Sequence, residues 1–194
     1  GINAEYLIDH AWGREPCTIA DIKKYKPKSN SISNSQILFK DYSYYEARTV
    51  LKEMVERLSL RMVKESKISN VIQLYIGYSK DIISASGGVR HLENYTSNYS
   101  ELSKAFLNLY DGTTNRNVGI RRIGVTLGNV IDDNNEQLSL FSNQGKLDKE
   151  KELELTINNL KDSMGKNIIL RGTNFLEEAT ARERNKMIGG HNGE

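Results

Sequence analysis

Cysteine is almost missing from this chain: Cys17 stands alone among 194 residues. No disulfide can form within it, so its stability must come from a core, and a reducing cytosol suits it. That one thiol has no activating neighbour in sequence, which argues against a catalytic cysteine. Long apolar runs are missing too. Nothing approaches the roughly 20 residues a membrane-spanning helix needs, and no signal-peptide pattern opens the chain. The three histidines, His10, His91 and His191, lie far apart with no cysteine partners, so the usual spacings of a zinc site do not occur. Tight acidic pairs are scarce as well. Asp132-Asp133 sits in a loop without the strand context that would hold catalytic metals, and it reads as a solvated lead-in to the apolar segment a few residues later. Internal repeats and low-complexity tracts do not occur.

What is present fits one domain with appendages, or two small domains. Hydrophobic residues make up 38% and charged residues 27%, enough for a core in a rather polar protein. The net charge of +2 hides an asymmetry. Through residue 130 there are 18 Lys and Arg against 13 Asp and Glu, and from residue 131 onward 9 against 12. A moderately basic body with an acidic tail fits a polyanion-binding domain followed by a protein-docking segment.

Along the chain, a short helical pattern opens with Ala4, Leu7, Ile8 and Ala11 on one side, and Trp12, which like the tyrosines could stack on bases, follows that apolar face and is expected rather in a core. Gly13 and Pro16 break it. A second short segment leads into Lys23-Lys24-Tyr25-Lys26-Pro27-Lys28, where proline forbids helix continuation. Gly1 followed at once by helix-like sequence reads as a piece cut from a longer protein. Residues 29–39 alternate loosely and predict a strand. Ser43-x-x-Glu46 is a capping box, and Ala47, Val50, Leu51, Met54, Val55, Leu58 and Met62 recur at three and four, a strong amphipathic helix. Residues 71–78 predict a strand with Ile72, Leu74 and Ile76 on one side. Gly87-Gly88 interrupts the chain, and residues 89–96 make a third strand. Asn98 with Glu101 caps a second helix that carries Leu102, Ala105, Phe106 and Leu109 inward and stops at Gly112. A fourth strand runs over residues 118–130, burying Ile123, Val125 and Leu127. Leu153, Ile157, Leu160 and Met164 then predict a helix ended by Gly165, followed by a short apolar run, Ile168-Ile169-Leu170.

The order strand, helix, strand, strand, helix, strand is the split βαβ pattern of ferredoxin-like domains. It predicts an α+β fold: a four-stranded antiparallel sheet with two helices on one face and the other face open. On that open face alternation places Arg122 and Thr126, with Arg121 at the fraying end. Two guanidiniums beside the close approach allowed at Gly124 make a phosphate grip, or else two edge charges that discourage sheet-to-sheet pairing.

A different chemistry is carried by Gln137-Leu138-Ser139-Leu140-Phe141. Three large apolar side chains each release roughly 1.5–3 kcal/mol on leaving water, and the flanks are poor in helix or strand formers. The segment is either a linear docking peptide or a piece that folds back on its own domain.

These segments together resemble a known family. Ile120-Arg121-Arg122-Ile123-Gly124-Val125 in the last strand of a split βαβ unit is similar to the corresponding strand of the little finger of Y-family DNA polymerases, the lesion-bypass enzymes. Residues 1–13 resemble the last helix of the family's thumb, residues 21–28 its tether and residues 28–38 its first little-finger strand. The ending Glu183-Arg184-Asn185-Lys186-Met187-Ile188-Gly189-Gly190-His191 is similar to the C-terminus of UmuC-like (ImpB/MucB/SamB) proteins of Gram-positive bacteria. QLSLF falls where that family carries its β sliding clamp motif.

The resemblance implies a division into residues 1–28 (end of thumb and linker), 29–131 (little finger), 132–145 (linker with the clamp motif) and 146–194 (tail with one helix). It implies that the little finger straddles primer–template duplex and holds both backbones without reading bases. Arg121 and Arg122 match the family's phosphate-contacting arginines, while Thr126, Arg90, Ser31, Ser33 and Ser35 fall on strands the family also uses. In the clamp motif Gln137 is hydrogen-bonded and the leucine and phenylalanine side chains fill a pocket. The catalytic carboxylates, with their Mg2+, belong to a palm domain that this sequence lacks. A cytoplasmic DNA-repair factor of SOS type, with a recombinase filament as a further partner, completes the expectation. Two rivals share the topology. Leu74-Tyr75-Ile76-Gly77 resembles the shorter motif of RNA-recognition domains, but residues 104–112 predict helix where the longer motif belongs. A domain that binds only protein is the other.

Overall fold

The computed structural model describes residues 3–25, 30–79, 83–133, 144–188 and 191–192. Two short helices, α1 (Asn3–Ala11) and α2 (Ile19–Lys24), precede strand β1 (Ile32–Tyr42), helix α3 (Tyr44–Lys64), strands β2 (Lys67–Tyr78) and β3 (Ser86–Thr96), helix α4 (Tyr99–Thr113) and strand β4 (Ile120–Gly128). A two-residue strand, β5 (Ile131–Asp132), comes next. The C-terminal part holds α5 (Gln144–Met164), a 3-10 turn (Gly172–Phe175), α6 (Ala181–Arg184) and a small pairing of β6 (Met187–Ile188) with β7 (His191–Asn192). The peptide Gln137–Phe141 lies outside the described residues.

The sheet runs β1-β4-β2-β3, antiparallel throughout, with β5 paired to the start of β2. Each helical crossover therefore skips a strand: β4 lies between β1 and β2, and β2 lies between β3 and β4. This is the split arrangement expected from the sequence, with β4 and β2 as the central pair. Helices α3 and α4 cover one face and pack on each other around a single core. Ile72, Leu74, Ile76, Ile123, Val125 and Leu127 fill it from the sheet, and Val50, Leu51, Leu58, Leu102 and Phe106 from the helices. Each such side chain contributes roughly 1.5–3 kcal/mol by leaving water. The helix starts are those the sequence signals. Ser43 Oγ accepts from the Glu46 amide while the Glu46 carboxylate accepts from the Ser43 amide, and Asn98 Oδ1 accepts from the Glu101 amide.

Two expectations are corrected. Gly87 and Gly88 do not interrupt a strand; they lie inside β3. Gly87 has φ +114°, and a Cβ there would stand 2.1 Å from the Leu74 carbonyl oxygen, so the pairing of β3 with β2 requires glycine at that point. Trp12 is not in a core: it is 79% exposed, as are most of the apolar residues of α1, because no described element covers that stripe.

The helix expected over residues 153–164 is present as α5, and its apolar positions divide: Ile157 and Leu160 are half-buried, whereas Leu153 and Met164 are exposed. Glu154 instead faces inward, 5% exposed, because α5 docks on the polar outer side of α3 by hydrogen bonds. The Tyr99 amide donates to Glu154 Oε1 and Asn158 Nδ2 donates to the Leu60 carbonyl. Lys64 pairs with Asp162 at 2.6 Å.

The segment after α5 also lies on α3. Glu53, 7% exposed, accepts from Asn174 Nδ2, the Thr180 amide and hydroxyl, and the Ala181 amide at 2.8–3.1 Å. Gln36 of β1 donates to Thr180 Oγ1, and Arg171 stacks 4.0 Å from the Tyr99 ring while pairing with Glu56. Sequence patterning misses this docking, because the groups that make it are polar and carry no periodic apolar signal.

Candidate nucleic-acid interface

The register of the three antiparallel pairs fixes which side chains share the uncovered face. Residues directly opposite each other in such a pair project to the same side. One row reads Ser33, Thr126, Gln73 and Val89; the next reads Ser35, Gly124, Tyr75 and Gly87; a third reads Ile37, Arg122 and Gly77. None of these side chains belongs to the core. Ile37 is 66% exposed, Val89 55% and Tyr75 43%. The face is thus a platform of hydroxyls and apolar groups with one guanidinium standing in it.

Arg122 lies 5.5 Å from the centre of the Tyr75 ring, a cation–π contact that steadies the guanidinium without neutralising it. Among the described residues it has no carboxylate within 4.0 Å. Gly77 makes room for its stem, since a Cβ at Gly77 would stand 3.1 Å from Arg122 Cβ. Gly124 performs a similar service for Tyr75, whose Cβ would be 3.3 Å from an added methyl. The space above Gly124 is therefore filled by the tyrosine side chain, rather than left open for a phosphate to approach the backbone.

Arg121 occupies a β-bulge. Gly77 faces Arg122 and Tyr78 faces Ile120, so Arg121 is the extra residue that the partner strand does not match. Ile120 and Ile123 are both fully buried although three residues apart, which strict alternation forbids, and the bulge lets both adjacent arginines turn outward. That spacing of two apolar isoleucines around an arginine pair is the signal of the bulge available in the sequence. Arg121 is held 3.6 Å from Asp41, which also accepts from Ser79 Oγ at 2.6 Å. One arginine of the pair is thus partly neutralised, and the other is not.

The remaining candidates divide. Ser33, Ser35 and Thr126 share the uncovered face with Arg122, and exposed Ser31 lies one residue before β1. Arg90 does not join them: it stands opposite Ile72, whose side chain enters the core, so it leaves the edge strand on the helix-covered side. Residues 104–112 lie in α4, so the longer RNA-recognition motif has no strand to occupy. Among the described residues no three His, Cys, Asp or Glu side chains form a group that could hold a metal ion, and no helix is long and apolar enough to cross a membrane.

A family model described as the impB/mucB/samB family C-terminal domain matches residues 29–140, a range that takes in the whole sheet and both covering helices. The chain belongs to this family. Its relatives include the putative UV-damage repair protein UvrX of Bacillus subtilis, 34% identical over 170 residues, which cover 83% of this chain and 38% of UvrX. DNA polymerase IV 2 of Halalkalibacterium halodurans is 28% identical over 197 residues, covering 98% of this chain and 46% of that protein. The chain thus spans less than half the length of these curated relatives. Among solved structures, a complex of beta-clamp processivity factor and little finger domain of PolIV is similar over 58% of this chain and 100% of that one, at 14% identity and a TM-score of 0.41. The impB/mucB/samB relationship places the chain in the setting of DNA repair and DNA polymerases.

Proposed function

We propose that this chain is the DNA-holding and clamp-docking part of an error-prone lesion-bypass DNA polymerase, and that it transfers no nucleotides by itself. The observation that carries the reading is the uncovered sheet face: Arg122 without a carboxylate partner, among Ser33, Ser35 and Thr126, on the domain that the family model matches. Guanidinium and hydroxyl donors on a flat strand surface suit phosphate oxygens and carry no base-edge code, so the grip is independent of sequence. Arg121, at the bulge, contributes from the rim. Arg90 has no part in this surface, because it leaves the sheet on the other side.

Residues 29–131 form the DNA-holding domain, 1–28 belong to the end of a preceding domain, and 132–145 carry the docking peptide Gln137–Phe141. Residues 146–194 form a tail, of which α5 and the segment around residues 171–181 lie against α3. The palm chemistry, with its Mg2+, is assigned to the part of the relatives that this chain does not cover. The relatives named for UV-damage repair and for DNA polymerase IV support a role in damage response, in the same compartment as the chromosome.

Fluorescence anisotropy tests the reading. The full chain is expected to bind primer–template duplexes of unrelated sequence with equal affinity, and to give no primer extension above a buffer control. A preference for single-stranded RNA over duplex DNA would return the RNA-recognition alternative, and measurable extension would end the assignment of catalysis elsewhere.

A further inference from the structure

Away from the sheet face, a cleft of about 280 Å³ opens between the outer side of α3, the C-terminal half of α5 and the segment around α6. Arg57, Arg61, Lys64, Lys161, Lys166 and Arg184 line it, against the carboxylates of Glu53, Glu56 and Asp162. All three carboxylates are already engaged. Glu53 accepts from Asn174, Thr180 and Ala181; Glu56 pairs with Arg171; Asp162 pairs with Lys64. Arg61 is taken by Glu65 at 2.7 Å. Arg57, Lys161, Lys166 and Arg184 are left with no carboxylate within 4.0 Å among the described residues.

Four cations, Arg57 of α3, Lys161 of α5, Lys166 of the loop after it and Arg184 of α6, converge on one cleft although like charges repel, and two of them, Lys161 and Arg184, are half-buried, where charge is costly without a counter-ion. Burial pushes the Lys161 amine below its usual value, and burial together with the neighbouring Arg57 does the same for Arg184. Met54, Leu60 and Leu170 supply an apolar floor beside them. A multiply charged anion with several oxygens satisfies such a set far better than a single carboxylate does. A DNA duplex is a poor candidate, because the cleft lies on the outer side of α3, a helix layer away from the uncovered sheet face.

We propose that this cleft binds a small phosphate-bearing anion, the chemistry shared by pyrophosphate and the phosphate tail of a nucleoside triphosphate. Binding joins α3, α5 and the α6 segment through one ligand, so it also fastens the C-terminal tail to the DNA-holding domain. The inference does not depend on where DNA binds.

Calorimetry of the full chain with inorganic pyrophosphate and, separately, with ATP tests it. Saturable binding with a 1:1 stoichiometry is expected, weakened about tenfold or more by Lys161→Gln with Arg184→Gln and unchanged by Arg122→Ala. Equal affinity for the two probes identifies phosphate alone as the ligand, and tighter ATP binding adds the apolar floor; either supports the proposal. Arg57→Gln, at an exposed position on α3, provides an independent variant should the double substitution loosen the tail, and it too is expected to weaken binding. Absence of saturable heat with both probes at millimolar concentration would overturn the proposal. So would binding that Arg122→Ala abolishes and the cleft variants leave intact.

Discussion

Glu53 shows how one polar side chain decides where a whole C-terminal segment lies. It sits on the side of α3 turned away from the sheet and satisfies four donors from that segment. Removing its carboxyl leaves the Thr180 and Ala181 amides, the Thr180 hydroxyl and the Asn174 side-chain amide without an acceptor, at about 1–3 kcal/mol for each that stays buried. Glu53→Ala is therefore expected to release the segment while the sheet and its core persist. Hydrogen exchange reads this directly: amides of residues 174–184 should lose protection, and those of β2 and β4 should keep it. Equal loss in both regions would mean that Glu53 supports the core rather than the tail.

At the scale of elements, α5 is held in part through a buried carboxyl, Glu154. Ser59 Oγ has a single proton and stands 2.6 Å from the Ser97 carbonyl and 2.9 Å from Glu154 Oε2, so it cannot serve both acceptors. Burial raises the Glu154 pKa, against the lowering effect of its hydrogen bonds from Ser59 and the Tyr99 amide. A carboxyl whose folded pKa is raised holds more protons folded than unfolded, so its contribution is complete below the ordinary carboxylate range and declines as pH rises through the raised value. Docking of α5 should thus strengthen as pH falls from neutrality toward the ordinary carboxylate range, seen as slower proteolysis after residue 144, and Glu154→Gln should remove the effect. Asp111 acts in the opposite sense. Its hydrogen bond from Arg48 lowers its pKa, so its contribution is lost only as pH falls below the ordinary carboxylate range. The elements that carry apolar period are legible in sequence: α3, α4, β2 and β4 follow from their stripes and caps. Patterning does not show contacts made by polar groups, such as Glu53, Glu154 and Asn174, or register details such as the bulge at Arg121. The face that Arg90 takes is not legible for the second reason, since a one-residue change of phase moves a side chain to the other face of a sheet.

For the whole molecule, two surfaces are proposed to work together, one for DNA and one for the clamp. The apolar side chains of Leu138, Leu140 and Phe141 offer about 5–9 kcal/mol gross, less the cost of ordering the segment, so an affinity near micromolar is the expected scale. Leu140→Ala with Phe141→Ala should abolish calorimetric binding to the β clamp and leave DNA affinity unchanged. On this proposal, DNA held by the same chain would raise the effective clamp concentration enough for micromolar docking to suffice. The central claim is that the uncovered sheet face holds the phosphate backbone, and salt dependence tests it most directly. With about 1–2 phosphates neutralised by Arg122 and, from the rim, Arg121, the logarithm of duplex affinity should fall against the logarithm of salt concentration with a slope of roughly −1 to −2. Arg121→Ala with Arg122→Ala should flatten that slope and weaken all sequences alike, whereas a double variant with unchanged slope and affinity would contradict the account.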